Sequence, residues 1–282
     1  MAWIGRALAA GRAALGVGSR VHLLVAGGAV TLSVMLVAAA IAAALGALTP
    51  RLGWLGLLVD ALALKSMLSL RGLAACALAV GADLRRTDLT AARAAVGRDL
   101  VSRSTAALDA GQVASATVES VAENLTDAFL APLLFFLVFG LPGAVAYRVV
   151  NTADAMIGYR EGPLRHFGRV AARLDDLLNL VPARVAALAL VAAAPLAGGD
   201  GRRAFETMRR NHARTASPNA GWTMAAMAGA LGVALEKPGA YRLGDGRPPT
   251  ADDVARAVGV MALAAALMLV VAVTLTLATN GD

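Results

Sequence analysis

Residues 23–48 read LLVAGGAVTLSVMLVAAAIAAALGAL, without one charged side chain. A bilayer core about 30 Å thick needs roughly 20 predominantly apolar residues in a helix, so this run is long enough to cross it. Residues 257–278, AVGVMALAAALMLVVAVTLTLA, pass the same test. The start of the chain is basic (Arg6, Arg12, Arg20), as a secretory signal would be. Yet the apolar run exceeds the roughly 7–15 residues of a signal core, and no polar mature segment follows a cleavage site. It reads as a permanent anchor.

Composition agrees. The 282 residues are 58% hydrophobic and 16% charged, with a mean hydropathy of +0.66. A soluble domain carries about 25% charged residues, and this chain has too little polar surface to cover a globule in water. The net charge of +7 comes mostly from arginines between apolar segments, as in cytoplasmic loops obeying the positive-inside rule. No zinc-finger spacing or aromatic-interleaved basic stripe points to nucleic acid; the expected partner surface is membrane lipid. The single cysteine, Cys76, excludes an intramolecular disulfide and a Cys-rich metal site.

Outward from these runs, alanine and leucine dominate and strand-like alternation is absent. The expectation is an all-α polytopic membrane protein of three to five transmembrane helices, one membrane-embedded domain over residues 1–282. Clean spans are predicted at about 21–48, 52–80 and 257–278. The second contains Asp60, Lys65 and Arg71. Ionisable groups within a span usually face a polar interior, although Lys65 and Arg71 could instead snorkel from a nearby helix end. Residues 128–150, interrupted by Pro132 and Gly140-Leu141-Pro142-Gly143, and the short run 185–197 read as broken or re-entrant. Polar loops are expected at about 81–127, 151–180 and 199–256. A basic start and a tail without Lys or Arg (280–282) predict a cytoplasmic N-terminus and an odd number of crossings. Three crossings keep Arg160, Arg165, Arg169 and Arg173 inside; five would not.

Candidate chemistry lies in the loops. In ESVAENLTD (119–127), Glu119, Glu123 and Asp127 recur every four residues and share a helix face. Like charges at that spacing repel, and a divalent cation such as Mg²⁺ would relieve them. An exposed acidic face is the plainer alternative. Asp175 and Asp176 are a weaker pair of metal ligands, since neighbours in sequence cannot share a helix face. Arg209, Arg210 and Arg214, with His212, Ser217 and Asn219, form a plausible phosphate surface, and Lys237 adds another anion ligand. Residues 235–241 read as a helix end and turn. The chain lacks the P-loop, nucleophile-elbow, zinc-protease and kinase motifs.

These stretches resemble the adenosylcobinamide-phosphate synthase family, also called the CobD/CbiB family of cobalamin biosynthesis. The matching segments are KSMLSLRGL (65–73), VGRD (96–99), ESVAENLTD (119–127), APL (131–133), LPG (141–143), YRVVNTADAMIGY (147–159), AARLDDLLN (171–179), PAR (182–184) and the region 210–237. Together they cover most of the chain. The resemblance implies amide formation between adenosylcobyric acid and (R)-1-aminopropan-2-ol or its O-phosphate, with ATP as energy source and Mg²⁺ as ion. It implies catalytic roles for Glu119, Glu123, Asp127, Asp154 and Lys65. Arg71, Arg98, Asp99, Asn124 and Asn151 would bind substrate, with Tyr159, Arg173, Arg210, Asn211 and His212. Arg214, Ser217, Asn219 and Lys237 complete that set. It further implies a plasma-membrane location, cytoplasmic active-site loops and association with other cobalamin-pathway enzymes.

The chain departs from the family pattern in places. Members usually carry another apolar helix before the part matching Trp3-Ile4-Gly5-Arg6, which implies either an upstream start or a missing helix. Ala75-Cys76 stands where Glu-His is common, and Ala153-Asp154-Ala155 where Leu-Asp-Ser is usual. Two other classes compete with the ligase. Asp60, Lys65, Arg71 and broken helices would suit a small transporter or channel, and a membrane scaffold for soluble cobalamin enzymes would need none of the loop carboxylates.

Overall fold

The computed structural model describes residues 2–159, 162 and 164–279. Arg160 and the tail at 280–282, both used in the orientation argument, lie outside the described residues. In chain order the elements are α1 (Ala2–Leu15), α2 (Arg20–Leu48), α3 (Trp54–Met67), α4 (Leu70–Arg85), α5 (Leu89–Asp99), α6 (Ala110–Leu125) and α7 (Ala131–Ile157). There follow α8 (Leu164–Phe167), α9 (Arg169–Leu178), α10 (Leu180–Ala193), α11 (Gly201–Asn211), α12 (Ala220–Leu231), β1 (Leu235–Lys237), β2 (Tyr241–Leu243) and α13 (Ala251–Thr279). The protein is an all-α polytopic membrane protein with one small hairpin. Its helix starts are chemically marked: Ser19, Asp88, Asp109 and Asp200 each accept a hydrogen bond from a backbone amide in the first turn.

Among the described residues, four helices are long and apolar enough to cross a bilayer: Arg20–Leu52, Trp54–Arg85, Ala110–Ile157 and Ala251–Ala278. Counting the bent pair Arg169–Leu178 and Leu180–Ala193 as one span makes five. This count lies within the three to five helices expected from the sequence. Pro132 lies in the first turn of α7, directly after a π-helical stretch at Thr126–Leu130, where a missing amide donor costs little. The Gly140-Leu-Pro-Gly break is real, since Gly140 takes φ 64°, ψ −160°, but the helix resumes beyond it.

The charged stretch 52–80 divides in two. Helix α3 ends at Met67, Leu68 is extended, and α4 starts at Leu70. Lys65 and Arg71 are exposed beside this interruption and do not sit within an unbroken helix. Asp60 differs from them. Its Oδ2 accepts from Thr49 Oγ1 at 3.0 Å, and its Oδ1 is buried without a hydrogen-bond partner among the described residues.

The chain forms two compact units. The first comprises Met1–Leu68 and Ala131–Asn179. Its centre is α2 against α7, with Ile4, Leu8, Ala26, Val149, Ile157 and Phe167 in one buried cluster. Gly27 is required there, because any β-carbon would collide with the Phe167 carbonyl oxygen. The other face of α2 exposes Leu36, Val37 and Ile41, as a lipid-facing surface does. The second unit comprises Ser69–Leu130 and Leu180–Asp282. Helix α12 is buried along its whole length except at Trp222, and it packs on α11, α10 and α6. Its all-round apolar surface makes it a core helix. At the start of α13, the buried Asp253 carboxylate accepts from Arg247, Arg256 and Thr250, which pins that helix to the loop before it.

Candidate active site

Within the second unit, α6 begins at a capping box between Asp109 and Gln112 and buries every residue from Val113 to Ala122. Glu119 goes inside with the rest. A buried carboxylate needs partners, and it has them. Ser115, one turn earlier, donates to Glu119 Oε1 at 3.0 Å, and Tyr241 donates to Oε2 at 3.0 Å. Arg103 stands 3.7 Å from Oε2. Ser115 is oriented in turn by the Glu236 amide, which donates to its Oγ at 2.7 Å.

Residues 235–241 prove to be a β-hairpin, which corrects the helix-end reading. Leu235–Lys237 pairs antiparallel with Tyr241–Leu243, and Gly239 supplies the positive φ of 71° at the turn. Lys237 and Tyr241 are direct cross-strand partners and therefore share a face. Burial, followed by the charge of Glu119, raises the Tyr241 phenol above its ordinary range, so it stays a neutral donor. The loop after α5 closes the site. Ser120 Oγ donates to the Leu100 carbonyl at 3.1 Å, and Asn124 steadies Ser120 through bonds to its carbonyl and hydroxyl.

The result is a cavity of about 190 Å³ lined by Ser102, Arg103, Glu119, Ser120, Glu123, Lys237 and Tyr241, with Leu100, Val101 and Ala116. Two carboxylates face two cations. Such a cavity can bind a small ligand carrying charges of both signs, orient it, and exchange a proton with it.

Of the residues expected from the sequence, the structure brings Glu119, Glu123 and Lys237 together here. Asp127 does not line the cavity. It lies in the π-helical stretch, where the longer turn breaks the four-residue spacing. No group of three His, Cys, Asp or Glu converges for a metal ion among the described residues. Asn124 acts behind the wall. Arg98 is exposed and clasps its neighbour Asp99 at 2.7 Å, and that bond lowers the Asp99 carboxyl below its usual range. Neither residue lines the cavity.

The 209–219 surface is mostly structural. Asn211 is buried, donating to the Thr207 carbonyl and accepting from the Gly244 amide, and Asn219 is buried against Arg184. Ser217 accepts from the amides that open α12. His212 stacks on Trp222, and its Nδ1 lies 3.1 Å from two backbone carbonyls. Arg214 donates to the Arg242 carbonyl, and Arg210 pairs with Asp245 beside a separate cavity of about 150 Å³.

Lys65, Asn151, Asp154, Tyr159, Arg173, Asp175 and Asp176 belong to the first unit. There Asp175 accepts from Asn151 at 3.2 Å and from Asn179 at 3.0 Å, one amide per oxygen. Asn179 is held by Tyr147 at 2.9 Å. Both Asp175 oxygens are thus bonded to neutral donors. Tyr159 and Arg173 are exposed. Sequence reasoning missed Arg103, Tyr241 and Ser115. Only Ser115 carried a legible signal, one turn before Glu119 on the same helix face.

Residues 1–277 match the family described as CobD/Cbib protein. The chain is 52% identical over 145 residues to the probable cobalamin biosynthesis protein CobD of Methanothermobacter thermautotrophicus, covering 51% of this chain and 49% of that protein. It is 52% identical over 145 residues to the cobalamin biosynthesis protein CobD of Dehalococcoides mccartyi, covering 51% and 47%. The match to the probable CobD of Methanocaldococcus jannaschii is 46% over 147 residues, covering 52% and 48%. The aligned part spans about half the length of these curated relatives. No solved structure matches.

Proposed function

The chain belongs to the CobD/Cbib family of cobalamin biosynthesis, and on that premise we propose that it is a membrane-bound amide ligase. It joins the amine of (R)-1-aminopropan-2-ol or its O-phosphate to a side-chain carboxylate of adenosylcobyric acid, at the expense of ATP. The product is adenosylcobinamide or its phosphate. The cavity loops face the cytoplasm from the plasma membrane. The observation that carries the reading is the convergence of Glu119, Glu123, Arg103 and Lys237 on one small cavity.

The charges suit the phosphorylated amine. Arg103 and Lys237 hold phosphate oxygens, while Glu119 and Glu123 attract the ammonium. Mg²⁺ takes one or two carboxylates and completes its shell with phosphate oxygens and water, a donor set that Glu119 and Glu123 fit. When bound, ATP would supply the phosphoryl group that makes a carboxylate oxygen a leaving group, releasing ADP, and Mg²⁺ would offset the phosphate charge. Glu119 is fixed by Ser115 and Tyr241, so its charge keeps one position throughout. Glu123 takes a proton from the ammonium. The freed nitrogen lone pair then attacks the activated carboxyl carbon, the C–N bond forms, and the C–O bond to the phosphorylated oxygen breaks. A positioned base of this kind contributes about 10²–10⁴-fold in rate.

The test mixes detergent-purified protein with adenosylcobyric acid, aminopropanol phosphate, ATP and Mg²⁺. The corrinoid is followed by mass spectrometry. The expected product is heavier by the amine minus water and absent without ATP. No product with either the free or the phosphorylated amine would overturn the ligase.

A further inference from the structure

Arg103 lines two cavities. One is the polar cavity of about 190 Å³ described above. The other is an open groove of about 550 Å³ walled by α5 and the loop that follows it, through Thr90, Arg93, Ala94, Gly97, Thr105 and Ala106. Their sizes and linings differ. Sites that enclose a sizeable organic ligand run to about 300–1,000 Å³, so the smaller cavity admits only a small substrate, whereas the groove can seat the edge of a large one. Four charged side chains line the first. In the second, Ala94, Gly97 and Ala106 give an apolar surface with hydroxyls at its border.

Two cations reach the groove, and they are not equivalent. Arg93 Nε is committed to the Leu108 carbonyl at 2.6 Å. Arg103 approaches Glu119 only to 3.7 Å, beyond the roughly 2.7–2.9 Å of a charge-assisted hydrogen bond. Its side chain is 24% exposed, and the guanidinium retains donors for another anion. The loop carrying it is well anchored. Thr105 Oγ1 donates to the Arg93 carbonyl at 2.8 Å, and a β-carbon on Gly97 would come within 2.8 Å of that same hydroxyl. Glycine lets the loop seat on α5.

We infer that Arg103 is the junction of two substrate compartments: the groove takes an apolar edge of the large carboxylate substrate, and Arg103 receives its carboxylate beside the cavity that holds the small amine. The substrate identities rest on the ligase reading; the two compartments rest on the shared arginine. In that reading the large substrate is the corrinoid acid.

The experiment compares Ala94→Trp and Thr90→Trp, both at exposed groove positions, with the unaltered protein. KM is measured separately for adenosylcobyric acid and for aminopropanol phosphate, and adenosylcobyric acid binding is measured by equilibrium dialysis without ATP or amine. Expected is a corrinoid KM and Kd raised about tenfold or more in both variants, with the amine KM within about twofold, as blocking one compartment alone should do. Arg103→Ala should raise both KM values, with partial rescue by Arg103→Lys. Unchanged corrinoid affinity in folded groove variants, or equal rises for both substrates, would overturn the compartments while leaving the ligase intact. If the unaltered protein binds the corrinoid but makes no amide, and the groove variants lose that binding, the ligase falls and the groove stands.

Discussion

Asp175 in the first unit and Glu119 in the second are both carboxylates held inside helical packing, yet their surroundings differ in kind. Asp175 receives one amide on each oxygen, from Asn151 and Asn179, and the second amide is braced by Tyr147. Glu119 receives Ser115 and Tyr241 but also faces Arg103, Lys237 and a second acid around open space. Amides from α7 and from the end of α9 make Asp175 a clamp between those helices. Cations beside a cavity leave charge for a ligand. Burial alone does not separate the two cases; the partners do.

Four substitutions test this contrast. The largest effect belongs to Glu123→Gln, expected to lower the rate of amide formation by about 10²–10⁴-fold while the helical circular dichroism is unchanged. Near-normal turnover would move the base elsewhere. Asp175→Asn should act oppositely. It turns one acceptor oxygen into a donor facing donors, at a cost of about 1–3 kcal/mol, read as an earlier thermal unfolding midpoint in detergent, with turnover within about twofold once folded. Lost turnover without lost stability would erase the distinction between the units.

Tyr241→Phe removes one bond to Glu119 and should slow turnover by about tenfold, which corresponds to roughly 1.4 kcal/mol. The pH dependence has a defined sign. Because the folded phenol titrates above its ordinary value, its stabilising contribution is complete below the unfolded tyrosine range, near about pH 10. It is lost as pH climbs from there through the raised folded value. The unaltered protein should therefore lose stability in strong alkali more steeply than Tyr241→Phe. The smallest effect is expected for Arg98→Ala. Its guanidinium is spent on Asp99 outside the cavity lining, so initial rates should change by less than about twofold.

Glu119, Glu123 and Lys237 are legible in the sequence, two by helical spacing and one as a cation after an apolar run. Arg103 is not. In sequence it is one loop arginine among many, four residues beyond the more conspicuous Arg98-Asp99 pair. Tyr241 is hidden when residues 235–241 are read as a helix end, since Pro238-Gly239 marks a turn without saying what flanks it. Asn211, Ser217 and Asn219 look like ligand groups because amides and hydroxyls cluster there; the same groups cap helices and tie loops, and that is their use here.

The sequence by itself determined the membrane setting, the dominance of helix and the acidic face of α6. These follow from runs and periods of side chains within one segment, and neighbouring residues carry that information. Tertiary structure decided the hairpin that sets Lys237 beside Tyr241, and which arginine meets Glu119. Glu119 meets Arg103 from the loop before its own helix and Tyr241 from a strand more than a hundred positions away, and no local pattern encodes which segment will supply a buried charge with its partner.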